Sequence, residues 1–469
     1  MESVASRYVK PFTSISEQVD LLIGRGLQVS SRPDAEDALR KIGYYRLSGY
    51  LYPFRMSSSG RFRPGTSLRQ ILDLYDFDEA LRGVLLEGIG QLEVALRFHV
   101  GHRLGRRGAF AHRQGSVLDP SAATWIAAPL QVRRSRHAEW LVGYDRQERR
   151  SQEAFVQHFR KRYGPRLPVW VATEVMSLGS LTELVALLPQ NDRKLMAARF
   201  GVVTADRDGD SSAFSSWLNH LRHVRNLCAH HSRLWNRVFD AALQVPKSAA
   251  IPEFVHVDDR ARRKIYGTLA VVRFLLARIQ PESEWYSGAL DLVTSFSRRS
   301  GVPLSAMGFP ASWTNAALWA PRYEADLELC AVADAVESLA IHNQPEAMQE
   351  LTSRESDAER KKWLRYLVRK QALIVHRIGA QSFYPAFQFA GGDVVRTVAD
   401  ANEALFTRAT RLGGASRCAA RIVQEWWLTP DAQNGFASSP LRHHADAPMD
   451  VLRAARTWSA QSLAIPDTA

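Results

Sequence analysis

The stretch "SLRQILDLYDFDEALRGVLLEGIGQLEVALRFHVGHRL", Ser67–Leu104, sets Leu68, Ile71, Leu72, Tyr75, Leu81, Val84, Leu85, Ile89 and Leu92 at three- and four-residue steps. That spacing is the repeat of a helix with one apolar stripe. It predicts a long amphipathic helix, with a break near Gly88 and Gly90, where two glycines weaken helical preference. The same reading extends outward. Ser14 and Glu17 have capping-box spacing ahead of "EQVDLLIG", and Pro33 suits the first turn of a second helix. "LPVWVATEVMSLGSLTELVALL", "DRKLMAARFGV" and "RRKIYGTLAVVRFLLARI" are apolar at helical spacing, while strand-like alternation is scarce. The polar stretch 106–152 reads as loops plus a short helix. The fold class expected is mainly α.

The chain has 469 residues, 46% hydrophobic and 23% charged, the balance of a globular protein too long for one core. Lys and Arg number 61 against 48 Asp and Glu, a formal charge of +13 that favours a polyanionic partner. Cys228, Cys330 and Cys418 are odd in number and scattered, which excludes a disulfide framework and a cysteine zinc site. The amino-terminal residues lack an apolar signal core and no apolar run reaches membrane-spanning length, so a cytoplasmic location and no membrane partner are expected. Proline-punctuated sequence around 301–321 marks a boundary. The expected division is a main domain over 1–320, a helical linker over 321–375 and a small C-terminal domain over 376–469.

The densest chemistry lies in "HVRNLCAHHSRLWNR", His223–Arg237. If helical, it puts Arg222, Asn226 and His230 on one face, with Arg225 about 140° around from His230 but long enough to reach the same mouth. A guanidinium fork pairs with phosphate oxygens, and an imidazole exchanges protons near neutral pH. Those are the parts of metal-free RNA cleavage, and equally of a solvated basic helix. His231 is a neighbour that packs or binds phosphate. In "YYRLSGYLYPFR", arginines Arg46 and Arg55 alternate with tyrosines including Tyr50; the aromatics either stack on unpaired bases or anchor the first helices to the core.

Arg225, Asn226 and His230 in "RNLCAH" resemble the arginine, polar residue and histidine motif of HEPN ribonucleases. "KPFTSISEQVDLLIGRGLQV", "ALRKIGYYRLSGYLYPFR" and "AHHSRLWNR" resemble the Abi-type (AbiD/AbiF) abortive-infection branch, over roughly residues 8–320. The resemblance implies a HEPN-type helical bundle with an N-terminal helical extension. It also implies a metal-independent endoribonuclease without cofactor, acting as a homodimer whose paired motifs line one cleft. Arg225 and His230 would be catalytic and Asn226 would orient or contact phosphate. Arg222, Arg46, Tyr50 and Arg97 would contact RNA, with His231 in support. Glu93 either positions the motif arginine or pairs along the helix with Arg97.

The tail, "SFYPAFQFAGGDVVRTV" and "EWWLTPDAQNGFASSPLRHHADAPMDVLRAA", resembles the toxin-binding domain of MbcA/ParS/Xre-type antitoxins. Asp431 stands where asparagine is usual, and Arg442 and His443 interrupt the closing segment. The resemblance implies a small, mainly α module that restrains the nuclease in cis or recruits a toxin or antitoxin partner. Tyr384, Phe387, Phe389, Trp426 and Trp427 read as its own core. No zinc-protease, phosphate-loop or nucleophile-elbow motif occurs, and "LRHHAD" lacks further ligands, so no metal is expected. The alternative is a catalytically inactive RNA- or protein-binding regulator of a toxin-antitoxin system.

Overall fold

The computed structural model describes residues 12–126, 134–246, 250–300, 302–320, 323–411, 416–430 and 438–458. Helices dominate and strands are few and short, so the fold is mainly α. The chain forms two compact units, one drawing on residues 1–93, 219–243 and 256–321, the other on 94–218, 244–255 and 322–469. Neither is one continuous segment of the chain.

The first unit opens with the helices Ile15–Gly24, Arg32–Ile42 and Tyr44–Leu51. The predicted capping box is formed: the Glu17 amide donates to Ser14 Oγ and the Ser14 amide to Glu17 Oε2. The long helix Leu68–Gly105 runs without the expected break. Gly88 stays helical and serves packing: a Cβ there would lie 2.6 Å from Trp285 Nε1 and 2.7 Å from Val272 Cγ1. Trp285 Nε1 donates to the Val84 carbonyl at 2.7 Å, fixing the helix Trp285–Ser300 to the long one. The helix Ile265–Ile279 is buried almost all round, consistent with its near-continuous apolar sequence. Along the long helix Ile71, Leu74, Leu81, Leu85, Ile89 and Leu92 are buried, and Asp78 falls on the same stripe.

In the second unit the stretch read as loops plus a short helix contains a fifteen-residue helix, Arg136–Arg150. Its buried stripe is His137, Trp140, Tyr144 and Glu148, polar-edged residues that hide a helical period from an aliphatic count. Residues 321–375, expected to be a helical linker, also supply a strand. Ile341–Asn343 pairs antiparallel with Gln381–Pro385, which pairs on its other edge with His376–Ile378. A second hairpin, Phe389–Ala390 with Asp393–Val394, turns at Gly391 and Gly392, whose φ values of +61° and +85° suit a two-residue left-handed turn. Trp426, Trp427, Tyr384 and Phe389 are buried and Phe387 packs against the cluster that holds Trp426 and Trp427, so these aromatics are core. Asp431 lies outside the described residues.

Candidate functional site

The helix Ser211–Ala229 ends inside the histidine-rich motif, so the segment is a helix followed by a turn. The Ser232 amide donates to Leu227 O at 2.9 Å and the His231 amide to Cys228 O at 3.0 Å, with His231 at φ +53°. This is the Schellman end, in which a left-handed residue lets two amides close onto the last free carbonyls. A non-glycine residue held there stores roughly 1–3 kcal/mol of strain. His230 sits at the cap, its amide still bonded to Asn226 O at 3.0 Å, so the expected four-residue relation holds at its last step. Both histidines are exposed.

Two arginines lock this turn to the helix Tyr44–Leu51. Arg46 Nη1 donates to the His231 carbonyl at 2.6 Å, and Arg233 donates back to the Gly49 carbonyl. Beneath them lies Asp78, wholly buried, which accepts Tyr50 Oη and Arg82 Nη1, both at 2.6 Å. The same carboxylate accepts the Trp235 amide at 2.6 Å and the Leu234 amide at 3.1 Å. Burial pushes the Asp78 carboxyl above its ordinary range, against the pull of these donors. Burial also pushes the Cys228 thiol up to about 12, so it packs as a small apolar group. His220, on the same helix, is buried with Nε2 at 2.8 Å from Thr268 Oγ1, and burial lowers it to about 4.

Above this base opens a cleft of 640 Å³, lined chiefly by Tyr45, Arg46, His230, His231, Arg233 and Arg237. Its lining, among the described residues, brings three guanidinium groups and two imidazoles together without a carboxylate. Such a set attracts phosphate and offers proton donors and acceptors beside it. Among the described residues no three His, Cys, Asp or Glu side chains form a cation site, and no helix is long and apolar enough to cross a membrane.

The structure joins His230, His231 and Arg46 in one place. Arg225, half-buried, and Asn226, exposed, stand near the C-terminal end of the helix outside the cleft lining, and neither side chain has a hydrogen bond or ion pair among the described residues. Arg222 is half-buried with its Nε enclosed. The stacking expected of Tyr50 needs correction, and Arg97 and Glu93 are placed as follows. Tyr50 is 1% exposed with its hydroxyl on Asp78 and its ring edge-on to Tyr75, so it cannot stack on a base; the exposed ring at the cleft is Tyr45, at 93%. Arg97 belongs to the second unit, where it bonds the Met176 carbonyl at 3.2 Å and lies 3.6 Å from Glu174. The acid that holds the motif's exit is Asp78; Glu93 lies about 22 Å further along the helix at its regular rise.

The residues missed were Asp78, Arg82, Arg233 and Arg237. Asp78 and Arg82 did carry a signal, an acid on the apolar stripe of Ser67–Leu104 with a cation one turn on. Such a buried charge demands partners.

Residues 37–236 match the family model of Abi-like proteins. The match is narrower than the 8–320 expected from sequence, yet its Abi-like segment contains Tyr45, Arg46, Asp78, Arg82, Arg225, His230, His231 and Arg233. Arg237 falls just beyond it. No curated protein and no solved structure matches the chain.

Proposed function

We propose that the chain is a metal-independent endoribonuclease of HEPN type, acting in abortive-infection phage defence or as a toxin-antitoxin effector. The carrying observation is the exposed pair His230 and His231, within the Abi-like segment, on a cleft lined by Arg46, Arg233 and Arg237. In this reading His230 exchanges the proton as the RNA 2′-hydroxyl attacks the adjacent phosphorus and the 5′-oxygen leaves. Arg225 carries the charge growing on the phosphoryl oxygens, and Asn226 orients the phosphate. The products are a 2′,3′-cyclic phosphate and a 5′-hydroxyl, with atoms balanced and no co-reactant. Arg225 and Asn226 stand beside the cleft of one chain; a homodimer that pairs two motifs brings them to a shared substrate. The C-terminal module restrains the nuclease in cis or recruits a toxin or antitoxin partner.

The test is incubation with total RNA in chelator and mapping of the ends. Cyclic-phosphate ends from the parent chain, and none from a folded His230→Ala chain, are expected. Full cleavage by purified, folded His230→Ala would overturn the reading. The rival, an inactive RNA- or protein-binding regulator, draws on Arg225 and Asn226 standing outside the cleft lining. It predicts RNA association weakened by Arg225→Ala and no product from any variant.

A further inference from the structure

The helix Asp357–Arg369 separates its charges along its length. Its acids, Asp357 and Glu359, occupy the first turn; Arg360, Lys361, Lys362, Arg365, Arg369 and the following Lys370 come after them with no further acid. Surface cations on a helix ordinarily pair one turn away. On Arg32–Ile42 that rule holds, with Arg32 and Arg40 on Glu36 and Lys41 on Asp37. Here Arg360 alone follows it, 3.3 Å from Asp357; among the described residues Lys361, Lys362, Arg365, Arg369 and Lys370 have no acidic partner, and all five are exposed.

Leu364 and Leu367 seat the helix on its core. At about 100° per residue, Lys361, Arg365, Arg369, Lys362 and Lys370 fan over roughly 180° of the opposite side. Tyr366 falls inside that fan, 41% exposed, with its ring stacked on Trp363 at 5.2 Å and 13°. Trp363 is held in turn, its Nε1 donating to Asp393 at 3.1 Å and the Arg354 guanidinium lying 4.5 Å from its ring centre. An exposed aromatic ring on a fixed support, flanked by uncompensated cations, is the arrangement that holds an unpaired base between phosphate contacts.

We propose that this face binds single-stranded nucleic acid, the cations meeting phosphodiesters and Tyr366 stacking under a base. A duplex keeps its base faces stacked and offers Tyr366 nothing; an acidic protein would use the cations without the ring. The site uses none of the cleft's residues and holds whether or not the cleft cuts RNA.

The full chain is titrated by fluorescence anisotropy with a labelled DNA strand and a 2′-O-methyl RNA strand of the same sequence, neither of which can undergo 2′-hydroxyl attack. Arg225→Gln and Arg237→Gln are present throughout to weaken the cleft. Each phosphate contact on a single strand scales affinity with salt to a power of about −0.7, a factor of about four between 1 M and 0.15 M. Lys362→Gln/Arg365→Gln/Arg369→Gln is therefore expected to bind about fiftyfold more weakly at 0.15 M, with a log–log salt slope shallower by about two and no difference near 1 M. Lys362→Arg/Arg365→Lys/Arg369→Lys, which keeps the charge, should bind as the parent does. Tyr366→Ala should lose about tenfold at every salt concentration. Loss for both strands marks a phosphate-and-base site; loss for one strand adds recognition of the sugar. Unchanged affinity and slope for both strands in the glutamine variant, or equal loss in the charge-keeping one, would overturn the proposal.

Discussion

Replacing Asp78 by Asn removes the anchor beneath the cleft. In the parent the carboxylate takes Tyr50 Oη, Arg82 Nη1 and the Trp235 amide at 2.6 Å each, and the Leu234 amide at 3.1 Å. Asn retains one acceptor oxygen and turns a donor toward the rest, so a buried donor loses its acceptor. Arg82, 3% exposed, also loses its counter-charge. Breaking a buried pair from one side costs about 3–5 kcal/mol, because the remaining charge stays desolvated. For a unit of roughly 150–250 residues this lowers Tm by about 6–20 °C. Circular dichroism and calorimetric melts at neutral pH measure it. Asp78→Asn/Arg82→Met should recover part of the loss, since no unpaired charge is then buried. A single variant melting within about 2 °C of the parent, or a double variant that merely sums the two losses, would refute the assignment of Asp78 as the anchor.

Three more outcomes follow from burial and exposure. His220 takes up a proton near pH 6.5 when unfolded and only near 4 when folded, so the unfolded chain binds more protons between those values and stability falls as pH drops. From pH 7 to pH 5 this amounts to about 2 kcal/mol, and His220→Gln should flatten the fall in Tm; an identical pH profile in variant and parent would contradict it. At the cleft, Tyr50→Phe should lower stability by about 2 kcal/mol through the lost bond to a charged acceptor. Tyr45→Ala should leave Tm unchanged while weakening RNA retention, and equal effects of the two on melting would show their exposures to be misread.

Much of the helical framework was legible because its signals are local. The Ser14–Glu17 box, the Pro33 start and the apolar periods each specify their own segment. The helix Arg136–Arg150 was underestimated because its buried stripe is built from His137, Trp140, Tyr144 and Glu148. The strand Ile341–Asn343 was missed because three residues carry no readable alternation and its partner lies some forty residues on. At the site, the residue types in His223–Arg237 pointed to the turn that carries His230 and His231. They did not point to Arg233 as a clamp, since its acceptor is the Gly49 carbonyl.

By itself, the sequence determined the mainly α class, the basic character and the segment that matches Abi-like proteins, all properties of composition, period and order. Tertiary structure decided which of two nearby tyrosines is exposed at the cleft and which is a buried strut, and which acid on the long helix anchors the motif. It also decided where the histidine-rich helix stops. Those outcomes depend on burial and on partners distant in the chain, such as Asp78 with Trp235, and no local pattern of residues encodes them.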